Sequence, residues 1–233
     1  MKRPIILDAR LSLAYDLYDP CELAADIGTD HAHLPAALLQ RGRCQHMILT
    51  DLSESALRNA RDEMIRCRLM NRVSLRAGDG LSPLRETCGM ISVTGMGGRT
   101  VRDILLNGQD KLRGASLVLS AHTDLPYIRE AVCAIGYHMD REEPCFCAGR
   151  FYLVLRARPG FRPVTPREIR LGGPLFESSS DQLIPYLSRR LEVLEEKLRG
   201  LLSAAGPDSG LIAQVREDIA FYHNFILKRR GSP

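Results

Sequence analysis

The 233-residue chain has no apolar run approaching the ~20 residues needed to cross a bilayer, and no leader-like hydrophobic stretch opens it. No membrane span is expected, and the cytoplasm is the expected compartment. Low-complexity tracts and short-period repeats are also missing, which sets aside solenoid and fibrous architectures. Seven cysteines are present, yet none forms a CxxC pair; only Cys145 and Cys147 lie close together. Neither a zinc ribbon nor a thioredoxin-like motif is offered, and free thiols in a reducing compartment are the plain reading. Asp30-His31-Ala32-His33 sets an HxH triplet beside an acid, but no third histidine or cysteine pair follows at a diagnostic spacing, so no metal is expected. Charge of one sign is not extreme. The net value of +4, with arginine far ahead of lysine, leans mildly towards an anionic partner.

What is present is an alternation of short apolar runs and helical periods. Leu7, Leu11, Leu13, Ala14 and Leu17 recur at helical spacing, predicting a helix over the sheet with Arg3 and Arg10 on its outer side. Apolar runs ending at Asp26, Asp51, Ala77, Thr94 and Ser120 read as five successive strands. Helices are expected over 34–40, 54–67, 100–107 and 126–135, with Ser53 as a cap and Gly42 and Gly136 as stops. Runs 137–142 and 151–158, joined by a turn near Gly149, read as a hairpin closing the sheet edge. The fold class is therefore α/β, a Rossmann-like, mainly parallel sheet. Beyond Pro159 the character changes. Pro159, Gly160, Pro163 and Pro166 suggest a linker, and two long periodic segments, about 181–203 with a leucine stripe and 209–229 with a stripe of Ile212, Val215, Ile219, Tyr222 and Ile226, flank Gly206-Pro207. These predict a C-terminal α-helical hairpin, with domains at 1–160 and 161–233.

Four loops follow four successive strands, and each carries marked residues. The first, Asp26-Ile27-Gly28-Thr29-Asp30-His31, has one glycine and two acids. A dinucleotide fingerprint wants three glycines and a phosphate cradle wants no acids, so the loop suits a ligand bearing positive charge or hydroxyls. Gly28 permits close backbone approach. Asp51, beside Leu52 at the end of the second strand, is placed for ribose hydroxyls. Asp79, in Gly78-Asp79-Gly80-Leu81, suits an adenine amine, a donor. Asp26 or Asp30 faces the cationic end. Together with Gly95-Met96-Gly97-Gly98, this set describes S-adenosyl-L-methionine better than NAD.

The stretches Asp26 to Pro35, Gly78 to Leu81 and Thr94 to Gly98 resemble the bacterial tRNA adenine-22 N1-methyltransferases, as do Gly136-Tyr137, Phe151-Tyr152 and Leu171 to Pro174. The resemblance runs through nearly the whole chain in order. It implies a class I methyltransferase domain with a coiled-coil-like C-terminal domain, S-adenosyl-L-methionine as donor, and methylation of N1 of an adenine in the D-arm of tRNA. Two departures stand out: Ser120-Ala121-His122 replaces a Gln-Pro-Asn-like triplet, and His33 stands where tyrosine is common. The cofactor set is then Asp26, Gly28, His31, Asp51, Leu52, Asp79, Gly80, Gly95, Met96 and Gly97. Asp30 is the candidate catalytic carboxylate, able to stabilise the cationic methylated ring and take the N6 proton; its alternative is a helix cap. His33 and His122 are candidates for base contacts. Arg99, Lys228, Arg229 and Arg230, together with Arg3, Arg10, Arg41, Arg43, Arg189 and Arg190, are candidates for phosphates. Two other readings stay open: a non-catalytic RNA-binding protein on a methyltransferase-like core, and a methyltransferase of a small molecule or protein. No obligate protein partner is evident, and a monomer is the expectation.

Overall fold

The computed structural model describes residues 5–204, 206 and 208–231; Arg3 and Pro207 lie outside them. In chain order come α1 (Ala9–Asp16), β1 (Cys21–Ile27), α2 (His33–Gln40), β2 (Cys44–Asp51), α3 (Glu54–Arg66), β3 (Val73–Ala77) and β4 (Met90–Val93). Then follow α4 (Gly98–Asn107), α5 (Gln109–Leu112), β5 (Ser116–Ala121), α6 (Leu125–Ala134), β6 (Tyr137–Cys147) and β7 (Arg150–Pro159). The chain continues with α7 (Pro166–Leu171), α8 (Leu183–Ser203) and α9 (Ser209–Arg230).

Among the described residues the strands form one seven-stranded sheet in the order β3-β2-β1-β4-β5-β7-β6. β1 to β5 pair in parallel, whereas β7 runs antiparallel to both β5 and β6. The central strands are apolar runs because helices cover both faces: Met90 to Val93 of β4 are all buried, as are Ala24 to Ile27 of β1. At the hairpin tip Ala148 and Gly149 both take positive φ, 48° and 79°, which matches the twist of a tight β-turn. α2 is buried from Leu34 to Leu39 and reads as apolar all round for that reason. α3 instead buries one face, and Ser53 Oγ accepts from Ala56 N over 3.4 Å at its start. The chain order reverses between β1 and β4, with β2 and β3 to one side and β5 to the other. That reversal opens a crevice at the carboxyl ends of β1 and β4.

The chain divides into two compact units, 1–178 and 179–233. The composition shift placed the division at 160/161. Residues 161–178 nevertheless belong with the sheet, because a capping box starts α7: Glu168 N donates to Thr165 Oγ1 over 3.2 Å and Thr165 N to Glu168 Oε2 over 2.7 Å. Leu171 and Leu175 are buried, and the Arg129 guanidinium donates to the Ile169 and Arg170 carbonyls. In the second unit α8 and α9 pack on each other, with Leu191, Leu194 and Leu198 half-buried and Val215, Tyr222 and Ile226 buried. No helix among the described residues is long and apolar enough to cross a membrane. All seven cysteines are free thiols.

Candidate active site

A cleft of about 490 Å³ opens at the β1/β4 crevice. The β1 loop contributes Asp26, Gly28, Thr29 and Asp30 to its lining, continued by His31 and His33, and the β4 loop contributes Thr94, Gly95 and Met96. Gly28 holds φ +74°, and a Cβ there would run into the Met96 Cε that lies over it. The two loops meet at that point because Gly28 has no side chain.

Asp26 is the most constrained acid of the site, at 6% exposure. Ser92 Oγ donates to its Oδ1 over 2.5 Å, Thr29 Oγ1 donates to its Oδ2, and Tyr18 OH donates to Ser92 Oγ over 2.7 Å from below. Burial pushes the Asp26 carboxyl up from its ordinary value. The Ser92 and Thr29 hydrogen bonds and the charge of Arg10 pull it back, and Asp51 raises it again. Burial likewise pushes the Tyr18 phenol well up, so it serves as a donor throughout the physiological range. Asp30 is exposed; its Oδ1 accepts from Asn59 Nδ2 over 3.1 Å, and its Oδ2 lies 3.3 Å from His31 Nε2. It caps no helix, since α2 begins after Ala32 with no side-chain cap. The His31 and His33 rings stack 5.7 Å apart.

Asp26, Gly28, Asp30, His31, His33, Gly95 and Met96 thus share one cleft. Asp79 and Gly80 line a second, neighbouring hollow of about 350 Å³ with Thr100, Ile104 and Asn107 of α4. Asp51, Leu52 and Gly97 line neither. Asp51 Oδ1 accepts from Ser53 N over 2.7 Å, Leu52 is 71% exposed, and Gly97 precedes α4 as its N-cap. His122 is exposed just past β5, its ring edge-on to Tyr152 at 5.5 Å, while Ser120 of the same triplet is buried. Arg99 and Arg102 flank the Tyr127 ring at 4.8 and 5.0 Å, and Arg99 Nε lies 3.6 Å from Asp124. Lys228, Arg229 and Arg230 form the last turn of α9 in the second unit.

The arginine surface read from charge is thinner than expected. Arg41 and Arg43 stack on Tyr15 at 4.8 and 5.1 Å and donate to the Ile5 and Tyr18 carbonyls, so they tie α1 down. Arg189 pairs with Glu192 one turn away. Arg10 does not face outward: it lines the cleft, because α1 packs against α2 and against β5, β6 and β7. Sequence reasoning put Arg10 on the outer side of its helix, among the phosphate candidates, and missed Tyr18, Ser92 and Asn59. For Ser92 a signal existed, a lone hydroxyl inside the buried run Met90-Ile91-Ser92-Val93.

Comparisons with known proteins agree with this geometry. The family model described as "Methyltransferase domain" matches residues 7–155. A curated relative, the tRNA (adenine(22)-N(1))-methyltransferase of Bacillus subtilis, is 30% identical over 158 residues, which are 67% of this chain and 66% of that protein. The match therefore spans just under two thirds of the relative's length. Among solved structures, the B. subtilis m1A22 tRNA methyltransferase TrmK aligns with a TM-score of 0.84 at 23% identity, covering 95% of this chain and 99% of that one. M. capricolum TrmK in complex with S-adenosyl-homocysteine aligns with a TM-score of 0.79 at 21% identity, covering 94% and 97%. With strand order, cleft position and family model in agreement, the chain belongs to the methyltransferase-domain family.

Proposed function

We propose that this protein methylates N1 of an adenine in tRNA, position 22 of the D-arm, using S-adenosyl-L-methionine. The observation that carries this reading is the meeting of the acidic β1 loop and the glycine-bearing β4 loop in one cleft at the sheet's reversal point. The names of the relatives supply the tRNA and the position. The residues fit the donor: Asp26, anchored through both oxygens, suits an ammonium group, and Asp51 at the end of β2 and Asp79 in the loop after β3 stand where ribose hydroxyls and an adenine amine would lie. When bound, the donor supplies an electrophilic methyl group that the N1 lone pair takes as the bonding pair stays on sulfur.

This chain's residues then have three tasks. They position the ring nitrogen, which by itself supplies much of the rate because the lone pair needs no prior deprotonation. They compensate the cation left on the ring, and Asp30, held by Asn59 and His31 at the cleft, is the carboxylate proposed to do so and to accept the N6 proton. They also hold an extruded base, since N1 is occupied by pairing in a duplex and extrusion costs a few kcal/mol. His33 in the cleft and His122 beside Tyr152 are the proposed base contacts. Arg99 and the α9 tail Lys228-Arg229-Arg230 are the proposed phosphate contacts. The test is nucleoside mass spectrometry after incubating the protein and donor with unmodified tRNA. N1-methyladenosine is expected, and it should vanish when A22 of the transcript is replaced. Donor binding without any methylated adenosine would overturn the assignment.

A further inference from the structure

We infer that Arg10 recognises the carboxylate at the amino-acid end of the donor, so that Arg10 and Asp26 together grip an α-amino acid zwitterion; this rests on the donor reading above. Among the residues lining the cleft, Arg10 alone carries a permanent positive charge. Its guanidinium is poorly matched inside the protein. NH1 is buried and meets no hydrogen-bond acceptor among the described residues, and NH2 reaches only Asp8 Oδ2, at 4.0 Å. A buried guanidinium N–H without an acceptor is costly, and such a group is retained where a ligand supplies the missing oxygen.

The side chain is also held in place. Its Cζ lies over the Tyr152 ring, 5.5 Å from the centroid, a cation–π contact that favours this placement of the guanidinium. At Gly95 the space a side chain would fill opens onto NH1, which lies 3.8 Å from the ideal Cβ position. The β4 loop therefore leaves room beside the orphaned donor. Charge selects among anions. Asp8, Asp26 and Asp30 line the same cleft, which disfavours a multiply charged phosphate, whereas a carboxylate flanked by its own ammonium offers one anion to Arg10 and one cation to Asp26.

The test compares two probes by calorimetry: S-adenosyl-L-methionine and its decarboxylated form, which keeps the sulfonium and the amine and lacks only the carboxylate. The wild-type protein should prefer the intact donor by roughly 10- to 100-fold, the range of a charge-assisted hydrogen bond. Arg10→Ala should weaken the intact donor by a similar factor and change the decarboxylated one by less than about threefold, so that the preference collapses. Arg10→Lys, which keeps the charge but not the fork, should fall between the two. An Arg10→Ala protein that keeps the wild-type preference would place the carboxylate elsewhere and overturn the assignment. Equal loss of both probes in that variant would also overturn it, making Arg10 a support of the cleft. If the wild-type protein binds neither probe, the donor reading itself fails, and this assignment with it.

Discussion

Ser92 Oγ donates to Asp26 Oδ1 over 2.5 Å from the neighbouring strand, so the acid at the head of the cleft is aimed by a hydroxyl buried in the sheet. Asp26 has an opposing effect on stability. Burial raises its carboxyl, so the folded protein binds that proton more tightly than the unfolded chain does. Stability from this group is highest below the ordinary carboxylate value, about pH 4, and falls as pH rises through the raised folded value. Asp26→Asn removes this cost. Its unfolding free energy relative to wild type should therefore grow over that interval and then level off, in denaturant titrations from acid to neutral pH, while donor affinity drops.

Ser92→Ala leaves Asp26 Oδ1 and the Tyr18 hydroxyl without their shared partner. A loss of about 1–3 kcal/mol is expected from two buried polar atoms left unpaired. Restoring the hydroxyl as Ser92→Thr should recover most donor affinity if the β-branched side chain is tolerated in the strand. Tyr18→Phe, which removes only the far end of the chain, should cost less than Ser92→Ala in the same denaturation assay.

Asp30→Ala tests the proposed proton acceptor. Single-turnover methylation should slow by roughly 10²- to 10⁴-fold, the usual share of a positioned acid or base. Donor affinity should stay within about tenfold, or ~1.4 kcal/mol, because Asp30 is exposed and bonded sideways to Asn59 and His31. Unchanged turnover would remove Asp30 from the chemistry.

Gly28→Ala places a methyl group where Met96 Cε now sits, at a backbone position of φ +74°. Conformational strain alone costs about 1–2 kcal/mol. The larger effect is expected on the donor, since Met96 must swing into the cleft it lines. Gly28→Ala combined with Met96→Ala should regain part of the lost affinity, and calorimetry on the pair of variants measures it.

Much of this was legible in the residues. Short apolar runs bounded by turn residues located the strands, and the 3.6-residue period located the long helices, since each apolar run or stripe must face a layer. Of the acids that follow the strands, Asp26 and Asp30 do line the cleft, because a polar residue closing an apolar run is where buried backbone meets solvent; Asp51 does not, and Asp79 lines the neighbouring hollow. Which side of α1 would be covered was not legible: helical spacing identifies an apolar face, but it does not say that β5, β6, β7 and α2 wrap far enough around to half-bury Arg10 as well. The same limit hid Asn59, which reaches Asp30 from α3. The boundary at 160/161 misled because prolines and glycines signal a linker, while the capping box Thr165-Pro166-Arg167-Glu168 signals a helix that carries Leu171 back to the sheet. A local stop cue was weighted above a start cue a few residues later.

That packed segment yields the last prediction. Arg129 and Glu142 are both essentially buried, with Arg129 Nε donating to Glu142 Oε1 over 2.7 Å, and the same guanidinium reaches the carbonyls of Ile169 and Arg170. A chain ending at 160 strips Arg129 of those carbonyls and exposes the surface that Leu171 and Leu175 cover, whereas a chain ending at 178 keeps them all. The longer truncation should therefore melt cooperatively and bind the donor, and the shorter one should be markedly less stable or insoluble. Because the hairpin carries the proposed phosphate contacts Lys228, Arg229 and Arg230, the 178-residue protein should bind donor normally and methylate no tRNA. Full activity in that truncation would take the hairpin out of tRNA recognition. Loss of donor binding would show instead that the cleft depends on the second unit. Glu142→Gln in the full chain separates the clamp from the length of the chain. It leaves Arg129 buried with its charge partner removed, and the penalty, on the order of 3–5 kcal/mol, should appear in denaturation with residues 161–178 still attached.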